Sequence, residues 1–457
     1  MKNKSINDQL AHSAILPLLV RLTMPVTIAQ LVNALYSIVD RMYIGHMPDM
    51  GTLALSGVGI TFPITMLVSA FSCIPGMGGA TLASICIGRG NYEEAERYLS
   101  NALLMLTVIG LSIIVLCVPF LDLLLVSFGA TDATLPYAHD YLLVYLCGTI
   151  FVELSLGLNP FINAQGFTGY GTITVLIGAV LNVILDPIFI YHFNMGIAGA
   201  AFATVISQFV SSVWVIVFLC SKKAIIKIQF KKIKPDLNII KSTCALGVSP
   251  FTFRINESIV VIAINHLLLL YGGINANLHI ASMAILSSIS QIFFMPLIGI
   301  ITGAQPLLSY NLGSKNFPRI KQTIHYARIL SMSCATVMWL MMMFFPNIIC
   351  MLFSNDSSLI SLTTVTMRIM FCTVIVLGLQ MVNQNAFVAL GNTKYSFIFG
   401  IMRKLLFLLP LAFIFPHIFG VWGIYAAEAV SNLLTTIITH IFFQRYMSKL
   451  KSICGFP

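Results

Sequence analysis

Residues 78–92 read GGATLASICIGRGNY, and residues 303–317 read GAQPLLSYNLGSKNF. Laid over each other at an offset of 225, Gly78 meets Gly303, Leu82 meets Leu307 and Ser84 meets Ser309. Gly88 then meets Gly313, and Asn91 meets Asn316. The same offset carries Pro25 onto Pro250, Thr27 onto Thr252, Gly166 onto Gly391 and Thr168 onto Thr393. At an offset of 224, Gly196, Gly199, Ala203 and Ser207 fall on Gly420, Gly423, Ala427 and Ser431. Matches in order and nearly without gaps along both halves mean that the chain is an internal duplication.

The composition says where each half lives. Of 457 residues, 58% are hydrophobic and 9% charged, and the mean hydropathy is +0.93. Soluble domains carry about 25% charged residues, so most of this surface has to face lipid. A spanning helix needs about 20 mostly apolar residues. Candidate spans fall at about 16–44, 53–87, 99–126, 137–158, 170–192 and 196–220 in the first half. In the second they fall at about 241–271, 278–312, 323–350, 361–386, 394–418 and 421–446. The expected fold is an all-α integral membrane protein of 12 transmembrane helices. They form two six-helix lobes related as parallel repeats. The first lobe (N-lobe) covers 1–220, a basic linker 221–240, and the second lobe (C-lobe) 241–457.

The net charge of +10 does not point to nucleic acid. Lys and Arg gather in KKAIIKIQFKKIK (222–234) and RYMSKLK (445–451), beside apolar runs. The remaining basic residues fall mainly in the N-terminus, GRGNYEEAER (88–97), GSKNFPRIKQ (313–322), and Lys394 with Arg403 and Lys404. The alternate loops, around His46, Asp132, His192, Gly273, Asp356 and His417, hold no Lys or Arg. This is a positive-inside pattern that sets both termini in the cytoplasm. The expected surroundings are lipid, with no nucleic acid partner. The ten cysteines lie singly in apolar stretches and read as small buried residues.

Carboxylates within hydrocarbon cost about 2.5–3.5 kcal/mol each, so each needs a reason. Asp40, Glu153, Asp186, Glu257 and Glu428 fall within spans, with Arg254 and Arg368 as intramembrane bases. Asp40 lies six residues before His46 and Asp186 six before His192, so both sit about 9 Å below the outer boundary. Asn182 is one turn deeper than Asp186 on the same face, and Thr204 reaches about 12 Å from its own end. Two carboxylates, an amide oxygen and a hydroxyl at matching depth make an all-oxygen site for a small hard cation. Close carboxylates repel, so the pair is expected to hold a shared proton that an entering cation displaces. Pro187 in LNVILDPIFIY (181–191) withdraws a backbone N–H beside Asp186. Pro25 and Pro250 offer further bends.

The second half lacks this device: Asp40 maps to Asn265 and Thr204 to Glu428. Its own charges are Arg254, Glu257, Arg368 and Glu428. Arg254 and Glu257 at i,i+3 form either a structural ion pair or, with Glu428, a second substrate or proton site. Asn159, Asn163 and Gln165, and Gln380, Asn383 and Gln384, read first as caps and loops at the cytoplasmic side.

The 6+6 duplication, P-x14-D-x4-G (Pro25, Asp40, Gly45), the paired segments quoted above and LNVILDP together resemble the multidrug and toxic compound extrusion (MATE) family. The resemblance covers essentially the whole chain and is closest to its bacterial MepA-like and DinF-like members. It implies export of small drug-like molecules, amphipathic and often cationic, in exchange for Na⁺ or H⁺, by a monomer in the bacterial inner membrane with no cofactor. The family's cation site then falls on Asp40, Asn182, Asp186 and Thr204. A lipid-linked-oligosaccharide flippase on the same scaffold is the alternative, although it calls for a strongly cationic cavity. A membrane-embedded enzyme is disfavoured, because no catalytic constellation recurs near one membrane face.

Overall fold

A computed structural model describes residues 10–45, 47, 51–128, 130–229, 234–353 and 356–453. His46 and residues 230–233 of the basic linker lie outside them. Among the described residues there is no β-strand. The first repeat runs α1 (Ile15–Gly45), α2 (Gly51–Phe71), α3 (Gly79–Gly88), α4 (Tyr92–Cys117), α5 (Leu121–Ser127), α6 (Leu135–Cys147), α7 (Thr149–Ala164), α8 (Thr168–Pro187) and α9 (Gly196–Cys220). The second runs α10 (Leu237–Tyr271), α11 (Ala276–Gly313), α12 (Phe317–Phe344), α13 (Pro346–Met351), α14 (Ser357–Phe371), α15 (Val374–Ala389), α16 (Thr393–Ile401), α17 (Leu409–Ile414), α18 (Pro416–Phe419) and α19 (Trp422–Ile453). Wide π-helical turns interrupt at Ile74–Gly78, Ile188–His192 and Met402–Leu408.

Among the described residues ten stretches are long and apolar enough to cross a membrane, or up to 12 if each of two bent helix pairs is one span. The bent pairs are α6 with α7, at 56°, and α14 with α15, at 47°. Their breaks, at Gly148 and at Cys372–Thr373, fall on each other at the repeat offset. Apolar side chains such as Val115 (68% exposed) and Ile418 (68%) stand on the outside, where water would penalise them and lipid does not.

The chain divides into two compact units, one of residues 28–251 and the other of residues 1–27 with 252–457. The sequence-expected lobes, 1–220 and 241–457, place the start of α1 and the start of α10 in the opposite units. Each repeat's leading helix begins in one unit and ends in the other, and the changeover falls just past Pro25 and just past Pro250. Close packing explains the exchange. A Cβ at Gly78 would meet the backbone of Thr243 and Gly247 on α10, and one at Gly303 the backbone of Leu22 and Thr23 on α1. Leu10, just before α1, and Ile15, Leu18 and Leu22 in its first turns are buried together with Leu307.

The 28–251 unit centres on Ile44, Leu125, Ala138, Leu142, Leu146, Ala200 and Ala201. The other unit has one cluster around Leu268, Leu286, Met342, Met367 and Tyr425, and a second around Phe387, Phe399 and Phe443. The duplication reaches individual hydrogen bonds. Ser84 donates to the carbonyl of Ala164 at 3.2 Å, and Ser309 to that of Ala389 at 2.7 Å. Asn91 caps α4 and Asn316 caps α12, each side chain accepting from the N–H three residues on, as N-cap residues do.

Candidate functional site

The predicted quartet comes together inside the 28–251 unit. Asn182 and Asp186 are buried on one face of α8, at 2% and 0% exposure. The Asn182 Nδ2 donates to Asp186 Oδ1 at 3.2 Å and to Thr204 Oγ1 on α9 at 3.2 Å. Thr204 in turn donates to the Ala200 carbonyl at 3.1 Å. Asp40 on α1 lies within direct electrostatic reach of Asp186. Two carboxylates this near to each other repel when both are charged. The Asp186 Oδ2 and Asn182 Oδ1 are buried without a hydrogen-bond partner. Both are acceptors, which suits a small hard cation bound through oxygen.

Several elements fix this arrangement. Pro187 was expected to break the helix beside Asp186, yet Asp186 remains helical and Pro187 keeps right-handed helical angles (φ −64, ψ −28). The missing N–H is absorbed downstream, in the π turn Ile188–His192, whose i→i+5 bonding tolerates the offset. Tyr191 in that turn donates to the Tyr43 carbonyl of α1 at 2.7 Å, tying the ends of the Asp40 and Asp186 helices together. Gly199 lets α9 approach closely, because a Cβ there would lie 2.8 Å from the Phe189 carbonyl carbon. The sequence reading did not single out Tyr141, a buried residue of α6 within electrostatic reach of both Asp40 and Asp186. Its ring stacks on Tyr145 one turn along, at 6.4 Å between centroids. That i,i+4 tyrosine pair was the available signal.

Below the quartet lies a cavity of about 40 Å³ that shares Asn182 and Thr204 with it. Asn159, Ser207, Gln208 and Ser211 also line it. The Asn159 Oδ1, Ser207 Oγ and Gln208 Oε1 are buried without hydrogen-bond partners, a lining suited to a water or a weakly bound cation. Asn159, expected as a cap, is therefore part of the site's surroundings. Gln165 stands at the C-cap of α7, as expected, but it is fully buried, and its Oε1 accepts the N–H groups of Ile225 and Ile226. Asn383 is likewise buried and accepts from Arg328 at 2.6 Å. Glu153 is fully buried on α7 and separate from the quartet's hydrogen bonds.

In the other unit, Glu257 pairs with Arg403 and Lys404 rather than with Arg254, whose side chain is exposed. Glu428 pairs with the same two cations. The charge-asymmetry reading had placed Arg403 and Lys404 at the cytoplasmic edge. They are 8% exposed and sit within the span Phe397–Phe419, because two acids on neighbouring helices compensate them there. Arg368 is exposed and donates to the Met343 carbonyl. Among the described residues no group of three His, Cys, Asp or Glu side chains forms a metal cage.

A duplicated bundle of membrane-crossing helices with an oxygen-lined site held inside one unit has the construction of a multi-pass transport protein. The chain belongs to the MatE family, whose sequence profile matches residues 25–188 and 255–414. It is 26% identical over 433 residues to the multidrug export protein MepA of Staphylococcus haemolyticus strain JCSC1435, covering 94% of each chain. To MepA of Staphylococcus aureus strain MRSA252 it is 25% identical over 438 residues, covering 95% of each. Its fold superimposes with a TM-score of 0.90 on the outward-facing conformation of a multidrug resistance MATE transporter of the MOP superfamily, at 23% identity, covering 99% of this chain and 100% of that one. A crystal structure of MATE in the bent conformation matches with a TM-score of 0.91 at 23% identity and the same coverage.

Proposed function

We propose that this protein is a secondary-active multidrug exporter that moves amphipathic, often cationic compounds outward as Na⁺ or H⁺ enters. The observation carrying this reading is the quartet Asp40, Asn182, Asp186 and Thr204, with two neighbouring carboxyl groups, the Asn182 bonds to Asp186 and Thr204, and two orphaned acceptor oxygens. A cation entering from outside replaces the shared proton, relieves carboxylate repulsion and satisfies those oxygens. Binding draws α1 and α8 together at the level of Tyr43 and Tyr191. Pro25 and Pro187 are where those helices yield. The names of the relatives support drugs as cargo, since both are called multidrug export proteins. The positive-inside pattern supports cytoplasmic termini in a bacterial inner membrane.

The test is ethidium efflux from proteoliposomes under an inward Na⁺ gradient and, separately, an inward proton gradient. Export driven by one gradient and abolished by Asp40→Asn supports the reading and names the ion. Export under neither gradient overturns it and favours a flippase for a lipid-linked substrate.

A further inference from the structure

At the place where one repeat has Thr204, the other has Glu428, and around it the polarity differs. Arg403 and Lys404 follow each other in the π turn Met402–Leu408. In an α-helix consecutive side chains diverge by about 100°. The wider turn lets both reach the same two acids. Lys404 Nζ lies 3.3 and 3.4 Å from the Glu428 carboxylate oxygens, and Arg403 Nη1 donates to Glu428 at 3.5 Å and to Asn432 at 3.3 Å. Ser431 donates to the Arg403 carbonyl at 2.6 Å, fixing the π turn, and the guanidinium lies over the Phe253 ring at 5.9 Å. These three charged side chains are 10–11% exposed and together carry a net positive charge.

Glu257 completes neutrality differently. Its oxygens lie 3.4 Å from Arg403 Nη2 and 3.7 Å from Lys404 Nζ, beyond the roughly 2.7–2.9 Å of a tight charge-assisted hydrogen bond. Its side chain is 42% exposed, the only open member of the four. It is a loosely held counter-ion on a built cationic seat. We infer that Arg403 and Lys404 form a binding site for a single carboxylate group, occupied at rest by Glu257 and taken over by carboxylate-bearing, zwitterionic substrates. An incoming carboxylate restores the charge balance that departure of Glu257 would upset, whereas a plain cation finds a neutral cluster. A planar carboxylate also suits the guanidinium arm and the ammonium donor that Glu257 now engages. Calling the ligand a substrate rests on the exporter reading; the charge argument does not.

The test uses two dyes with one chromophore: rhodamine 110, with a free carboxylate, and rhodamine 123, its methyl ester. Equilibrium binding to the purified full-length protein in detergent is read by fluorescence anisotropy, without any gradient. Glu257→Gln keeps the side chain's shape and removes its charge. It should tighten rhodamine 110 binding about tenfold, the worth of one charge-assisted contact, and leave rhodamine 123 unchanged. Glu257→Asp, which draws the carboxylate back, should give a smaller gain in the same direction. Adding Lys404→Gln to Glu257→Gln restores neutrality and should cancel the gain. Equal shifts for both dyes, or selective weakening of rhodamine 123, would overturn the proposal and make Glu257 a structural partner or a cation anchor. Failure of gradient-driven ethidium export would leave these binding results untouched, so the two readings fail separately.

Discussion

Asn182 spends both amide hydrogens, one on Asp186 and one on Thr204, which leaves its oxygen buried and unused among the other acceptors. The side chain both aligns two ligands and offers a third. Asn182→Ala should therefore raise the half-saturating concentration of the coupling ion by about tenfold, within the range for loss of a group that orients metal ligands. Titration of efflux against external Na⁺ or pH would show it, and an unchanged half-saturation would assign Asn182 to structure alone. The four residues were legible in the sequence because depth along a helix is simple arithmetic and carboxylates in hydrocarbon are conspicuous. Tyr141 was not, since an aromatic in a membrane helix carries no such alarm. Arg403 and Lys404 were misread for a physical reason: Glu257 is 146 residues away from Arg403, and charge-counting near span ends registers no partner so distant.

The π turn after Pro187 and the close approach of α9 to it belong together. Gly199→Val would drive a side chain into the Phe189 and Ile190 backbone and should destabilise the protein by about 1–3 kcal/mol, the usual cost of overpacking. Gly59→Val, where a Cβ meets nothing within 4 Å, should leave stability nearly unchanged. Thermal unfolding of both variants in detergent separates them, and equal losses would contradict the packing described. Repeat-related serines give a second comparison. Ser84→Ala and Ser309→Ala each remove a hydrogen bond to a carbonyl one helix away, so each should cost about 1 kcal/mol. A large effect at one site only would mean that the two repeats do not share this contact. Element ends were partly legible: Asn91 and Asn316 stood at matching offsets and both prove to be caps. The π turns were not, because nothing in local composition distinguishes them from α-helix.

For the whole molecule, the duplication read from small residues and caps also governs how the chain is divided. Sequence offsets show that two repeats exist. They do not show that Pro25 and Pro250 stand where each leading helix changes unit, because that depends on packing at Gly78 and Gly303. Orientation remains a matter of charge. A membrane-impermeant maleimide should label Lys223→Cys in inside-out vesicles and Met195→Cys in right-side-out vesicles, in a background with Cys147, Cys220 and Cys372 replaced. The reverse pattern would invert the topology.

The carboxyl pair is the centre of the account, and one comparison tests it most directly: gradient-driven ethidium export by wild type and by Asp186→Asn in proteoliposomes at matched protein density. Asparagine keeps the size and can still hydrogen-bond, but it neither holds a shared proton nor attracts a cation. The expected result is export lost under the gradient that drives the wild type, with equilibrium ethidium binding retained. Full gradient-driven export by Asp186→Asn would contradict the account.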